Sequence, residues 1–160
     1  MPRNAPRPAV DRSTGPAFPR TRPPRRAWRA QAAPVAVVAL GGGLGATARY
    51  AAAVLWPTPT GAFPWTTWAV NAVGCAVIGV FMVVITEVRP VHRLVRPFFG
   101  VGVLGGFTTF STYAADLTEQ LHAGNARPAL AYLALTPLTA LLAVWGGTRV
   151  TRLILAWRRS

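Results

Sequence analysis

Residues 97–115 read Pro97-Phe98-Phe99-Gly100-Val101-Gly102-Val103-Leu104-Gly105-Gly106-Phe107-Thr108-Thr109-Phe110-Ser111-Thr112-Tyr113-Ala114-Ala115, without one charged side chain. A helix needs roughly 20 such residues to cross a hydrocarbon core. The centre of this run nevertheless carries Gly105-Gly106 and four hydroxyls, at Thr108, Thr109, Ser111 and Thr112. Paired glycines weaken a helix where freed backbone groups cannot turn to water. Irregular backbone at that depth survives when buried in protein or lining a wet path, where it offers carbonyls to cations and N–H groups to anions. The alternative is a kinked helix whose hydroxyls bond back to carbonyls one turn earlier.

Working outward, the chain divides into four apolar stretches, predicted as spans at about 35–55, 63–85, 94–121 and 129–150. The third is predicted to be broken. Apolar residues make up 52% of the 160 and charged ones 13%, a balance that places the chain among membrane proteins. Trp56, Trp65, Trp68, Trp145 and Trp157 fall near predicted span ends, as interfacial aromatics do. Pro57, Pro59, Gly61, Pro90, Gly124 and Pro128 mark the connections.

The net charge of +13 does not imply a nucleic-acid partner, because it is unevenly spread. Eight of the seventeen arginines lie in the first 29 residues, among seven prolines. Residues 1–33 therefore read as a disordered cytoplasmic tail touching anionic lipid, residues 34–152 as the membrane domain, and residues 153–160 as a short basic tail. Cys75 is the only cysteine, so no intrachain disulfide forms. His92 and His122 fall in polar loops, and Glu87, Asp116 and Glu119 at span ends. No ligand cluster suits a transition metal, and no nucleophile–base pair or phosphate loop suggests an enzyme. No carboxylate sits at a span centre, which argues against a proton relay.

The remaining polar residues within spans are few. Asn71 is the only strongly polar side chain in the second span. Unpaired in hydrocarbon an amide costs several kcal/mol, by order of magnitude, so Asn71 faces either a partner helix or a wet path. Phe110 and Tyr113 are three apart and share a helix face, as do Tyr132 and Thr136, four apart. Arg49 is the only charge within the first span, near its end, where it either snorkels or attracts anions. Gly41-x-x-x-Gly45 and Gly102-x-x-x-Gly106 permit close helix approach.

Three ordered segments resemble the Fluc (CrcB) family of fluoride channels. Gly105-Gly106-Phe107-Thr108-Thr109-Phe110-Ser111-Thr112-Tyr113 is similar to its Gly-Gly-x-Thr-Thr-Phe-Ser-Thr-Phe signature. Gly41 to Tyr50 resembles its Gly-Gly-x-x-Gly-x-x-x-Arg-Tyr motif, and Thr67 to Gly74 its Thr-x-x-Val-Asn-x-x-Gly motif. The resemblance covers roughly residues 35–150. It implies an all-α protein of four transmembrane helices with a broken third, paired as an antiparallel dimer in a bacterial plasma membrane. It further implies passive export of fluoride through paths built from both chains and lined by Asn71, Phe110, Tyr113, Tyr132 and Thr136. Arg49 would stand near the mouth. A structural sodium ion would be held by the backbone carbonyls of Gly105 and Thr108.

Departures from the family pattern are Tyr113, where phenylalanine is usual, and Ala140, one turn beyond Thr136, where a second serine is expected. They keep an accessory-subunit role open. A small four-span drug exporter is the remaining rival, though it lacks the embedded carboxylate such a transporter needs. The arginine distribution predicts both termini in the cytoplasm and hence a sister chain of opposite orientation as partner.

Overall fold

The computed structural model describes residues 25–59, 61–88 and 91–158. Five α-helices occur there: α1 (Arg25–Leu55), α2 (Trp65–Val83), α3 (Leu104–Phe107), α4 (Ser111–His122) and α5 (Ala126–Trp157). Wide π-helical turns extend α2 at Val84–Val88 and precede α3 at Arg96–Val103. No strand occurs among the described residues. The chain is an all-α membrane protein. Gln31–Leu55, Trp65–Glu87 and Ala126–Trp157 are long and apolar enough to cross a bilayer as continuous helices. The third span is the pair of half-helices on either side of Thr108–Phe110.

The termini of the domain differ from the sequence boundaries. α1 begins at Arg25, so the boundary drawn after residue 33 falls inside a helix, and the one drawn after residue 152 falls inside α5. Arginine and alanine are strong helix formers, and both junctions are rich in them. The tail before residue 25 lies outside the described residues.

Glycine decides how the helices meet. Cβ atoms at Gly41, Gly45, Gly102 and Gly106 would strike backbone atoms of the facing helix, so α1 and the first half of the third span lie backbone against backbone. Gly79 and Gly147 do the same between α2 and α5. The glycine pair of the third span thus differs from its expected role. Gly105 and Gly106 stay helical, and the chain breaks two residues after the pair, at Thr108, whose ψ of 153° is extended. Gly106 is needed for contact with Gly42, whereas Gly105 faces open space.

Large apolar side chains point outward along every long helix, among them Leu44, Leu130, Leu141 and Trp145. That pattern suits lipid as the surrounding solvent. The interior is small and centres on Tyr132, Ala129, Leu104 and Val83. Where α1 and α4 end and α2 and α5 begin, two turns are tied together. Asn125 Nδ2 donates to the Gly61 carbonyl at 3.1 Å, and Gln120 Nε2 to that of Ala62 at 2.9 Å. Gly61 and Gly124 hold φ near +78° and +76°, which these turns require.

Candidate ion path at the helix break

Breaking a helix inside a membrane frees carbonyls at one end and N–H groups at the other, and each must find a partner. The Leu104 carbonyl accepts both the N–H and the hydroxyl of Thr108, at 2.9 and 2.8 Å. Thr109 Oγ1 accepts the N–H of Thr112 at 3.1 Å and so satisfies one free donor in the first turn of α4. Arg49 reaches across the break. Its Nε donates to the Gly106 carbonyl at 3.3 Å and its Nη1 to Thr112 Oγ1 at 3.4 Å. A guanidinium at the carbonyl end of a half-helix meets the negative end of its dipole.

Asn71 holds the break from the side of α2. Its Nδ2 donates to the Thr109 carbonyl at 3.0 Å, and its Oδ1 accepts the Thr109 N–H at 2.8 Å. One amide side chain thus satisfies both backbone groups of a residue that lies outside either half-helix. Asn71 is 8% exposed, so its own amide relies on these two bonds in place of water. Three residues on, Gly74 leaves room for the methyl of Thr108, which a Cβ there would strike. The Val-Asn-x-x-Gly segment therefore grips one residue of the break and accommodates another.

Beside the break lies an open groove of about 530 Å³. It collects six of the residues singled out from the sequence: Asn71, Gly105, Thr108, Phe110, Tyr113 and Thr136. Cys75, Thr109, Leu133, Pro137 and Ala140 complete it. Most donors in the wall are already engaged. The exception is Thr136, 8% exposed, whose Oγ1 is buried and has no hydrogen-bond partner. The second N–H of the Asn71 amide is also unspent, because Thr109 takes only one. Phe110 stands at the opening, 78% exposed, with its ring 5.6 Å from that of Tyr113. No hydrogen bond from the described residues reaches the carbonyl oxygens of Gly105 or Thr108.

Arg49 and Tyr132 are not part of that wall. Arg49 lies on the α1 side of the break, as just described. Tyr132 is fully buried behind Tyr113, with ring centroids 5.0 Å apart, and its hydroxyl donates to Asp116 Oδ2 at 3.2 Å. Phe63 presents its edge to Tyr132 at 5.3 Å. Tyr113 spends its hydroxyl on the Leu133 carbonyl, to which it donates at 3.0 Å. Ala140 does line the groove, without a hydroxyl, while Thr139 turns away and accepts the indole N–H of Trp68 at 3.3 Å.

Sequence reasoning did not single out Thr109, Asp116 or the Leu133–Pro137 pair. Pro137 carried a readable signal, because a proline within a helix leaves the carbonyl four residues earlier without a donor. For Thr109 and Asp116 only the folded geometry identifies the partner.

A family model described as CrcB-like protein, Camphor Resistance (CrcB) matches residues 36–148. The "Fluoride-specific ion channel FluC 1" of Streptomyces coelicolor is 69% identical over 138 residues, 86% of this chain and 90% of that protein. The "Fluoride-specific ion channel FluC 2" of Streptomyces avermitilis is 74% identical over 112 residues, 70% of this chain and 71% of that protein. That of Nocardia farcinica, also FluC 2, is 54% identical over 115 residues, 72% and 82% of the two chains. The chain belongs to the CrcB family.

Proposed function

We propose that this member of the CrcB family conducts fluoride passively and selectively across a bacterial membrane, so lowering its concentration in the cytoplasm. The observation that carries the reading is the buried Thr136 hydroxyl, unpartnered in the groove wall near the unspent N–H of Asn71. Fluoride is small and strongly hydrated, and a path for it must replace water with neutral donors that do not trap it. A hydroxyl, an amide N–H and the positive edge of the Phe110 ring are such donors. Several relatives carry the name of a fluoride-specific channel.

The working unit in this reading is an antiparallel dimer. A groove open along one side, with Phe110 at its rim, needs a second chain to close it. The same face carries the undonated carbonyls of Gly105 and Thr108. They fit a hard cation: neutral oxygens, too few from one chain, doubled by the matching carbonyls of the partner chain across a pseudo-two-fold. Sodium bound there would offset the carbonyl dipoles and join the chains without being transported. Replacing sodium by a large organic cation during preparation should then split the dimer or stop efflux. Both termini face the cytoplasm in this reading, and the partner is a sister chain of opposite orientation.

The deciding experiment is efflux from fluoride-loaded liposomes, with the sister chain included where one exists. Fluoride should leave when a potassium ionophore clamps the voltage, and chloride should stay. Equal chloride efflux, or a strict need for a proton gradient, overturns the channel reading. Thr136→Val, which keeps shape and removes the free hydroxyl, should slow efflux more than it weakens assembly.

A further inference from the structure

At the end of the molecule opposite the start of α1 and the end of α5, residues 58–59 and 61–64 and the C-terminal part of α4 enclose a second, polar pocket of about 300 Å³. Asp116, Glu119 and Gln120 line it from α4, at positions i, i+3 and i+4 of one helix face. Two carboxylates meet there in a chain of +13 net charge, yet neither forms an ion pair among the described residues. The third described carboxylate, Glu87, is paired with Arg152.

Gln120 supplies an independent observation. It is 2% exposed, and its Oε1 is buried without a hydrogen-bond partner. The amide cannot be turned round to cure this. Its other end donates to the Ala62 carbonyl, and a carbonyl only accepts. A buried oxygen left without a donor, beside two unpaired carboxylates, lacks a positive partner.

We propose that this pocket binds a hard divalent cation such as calcium, held by the carboxylates of Asp116 and Glu119 with Gln120 Oε1 and completed by water. Oxygen donors of this kind and charge suit calcium, which takes six to eight oxygens in flexible geometry. Tyr132 occupies only Oδ2 of Asp116, so Oδ1 remains for the ion. Ala62 and Gly61 are tethered to Gln120 and Asn125 already, so the ion meets a largely formed site. Resting on the channel reading, the site has a consequence for transport. Uncompensated carboxylates beside Tyr132 would repel an anion, and a bound cation removes that repulsion.

Binding is read without fluoride, which precipitates calcium. The full-length protein in uncharged detergent is freed of metal with a chelator and titrated with terbium, a calcium surrogate. Luminescence is excited through tryptophan, Trp65 being adjacent to the lining residue Pro64. A saturable signal that calcium displaces is expected, with terbium affinity falling at least tenfold in Glu119→Gln and in Asp116→Asn. Glu119 is exposed, so its substitution leaves folding intact. The proposal is overturned by a signal that does not saturate, by unchanged affinity in both variants, or by an equal fall in Glu87→Gln. Liposomes that release no fluoride would sink the channel reading alone, since the terbium titration does not depend on it.

Discussion

The Tyr113 hydroxyl donates to the carbonyl of Leu133 at 3.0 Å, and Leu133 stands four residues before Pro137 in α5. In an unbroken helix that carbonyl would accept the N–H of residue 137, which proline does not have. Tyrosine on one helix thus supplies the donor that proline removes from another. The family resemblance leads one to expect phenylalanine here, and the added hydroxyl is bonded to the Leu133 carbonyl.

Removing only that oxygen should therefore cost stability and spare conduction. Tyr113→Phe leaves the part-buried Leu133 carbonyl unsatisfied, which costs about 1–3 kcal/mol. Fluoride efflux per assembled protein should stay within about threefold of wild type, because the ring remains. In a Pro137→Ala background residue 137 regains its N–H, so the same Tyr113 change should cost less than half as much. Thermal unfolding of the four proteins in detergent checks this cycle. Equal costs in both backgrounds would show that the hydroxyl does not compensate for the proline.

Asn71 should behave as a clamp with one donor arm and one acceptor arm. Asn71→Ala loses both bonds to Thr109 and should lower stability by about 2–4 kcal/mol, with efflux falling at least tenfold. Asn71→Asp makes the sharper test. A protonated carboxyl has one O–H donor and one acceptor oxygen, the same pattern as the amide, whereas the ionised form only accepts and confronts the Thr109 carbonyl. The stability of Asn71→Asp relative to wild type should accordingly rise as pH is lowered and be lost as pH is raised. Unfolding temperatures from pH 8 to pH 5 decide it, a measurement that avoids the permeation of neutral hydrogen fluoride. A difference that does not vary with pH rules out the two-armed clamp.

The glycines separate into those that hold the break and those that do not. Gly74→Ala drives a methyl into that of Thr108 and should destabilise by about 1–3 kcal/mol, with efflux impaired. Gly43→Ala meets nothing within 4 Å and removes backbone freedom from a helix, so it should be neutral or stabilising by up to about 1 kcal/mol. Comparing the two by thermal unfolding and by efflux tests whether close packing at the break matters. Identical effects would refute it.

Several of these features are legible in the sequence, and the reason is the membrane. An apolar run of fixed length, interrupted by polar residues, has few solutions when lipid supplies no hydrogen bonds. Hence the four spans, the broken third, and the Gly-x-x-x-Gly contacts of α1 could be read directly. Asn71 could be read as a polar group needing a partner, but not as the clamp of Thr109, because the partner is backbone 38 residues away. The break itself falls at Thr108 and not at the glycines. Gly106 earns its place by contact with Gly42, a tertiary demand that local helix propensity does not show. Likewise the family resemblance implies Tyr132 as a path residue, while its hydroxyl is taken by Asp116 on α4.

Orientation in the membrane follows from arginine counting and can be checked on single residues. Arg152 pairs with Glu87 at 2.8 Å, which places the C-terminal end of α5 at the end of the molecule where the second span finishes. Setting aside residues 1–29 and Arg49, which lies within the first span, seven arginines fall on that side, at positions 89, 93, 96, 149, 152, 158 and 159, against only Arg127 in the opposite loops. Such a bias should hold the seven-arginine end in the cytoplasm. With Cys75 replaced by serine, single cysteines at Thr58 and Arg158 should each label from one face only, Thr58 from outside and Arg158 from inside. A chain held in one orientation cannot pair with an inverted copy of itself, so expressed alone it should give little fluoride efflux. A sister chain of opposite charge bias should restore efflux at least tenfold. Comparable labelling of both cysteines from both faces would defeat the fixed orientation. Robust efflux from the lone chain would defeat the need for a sister.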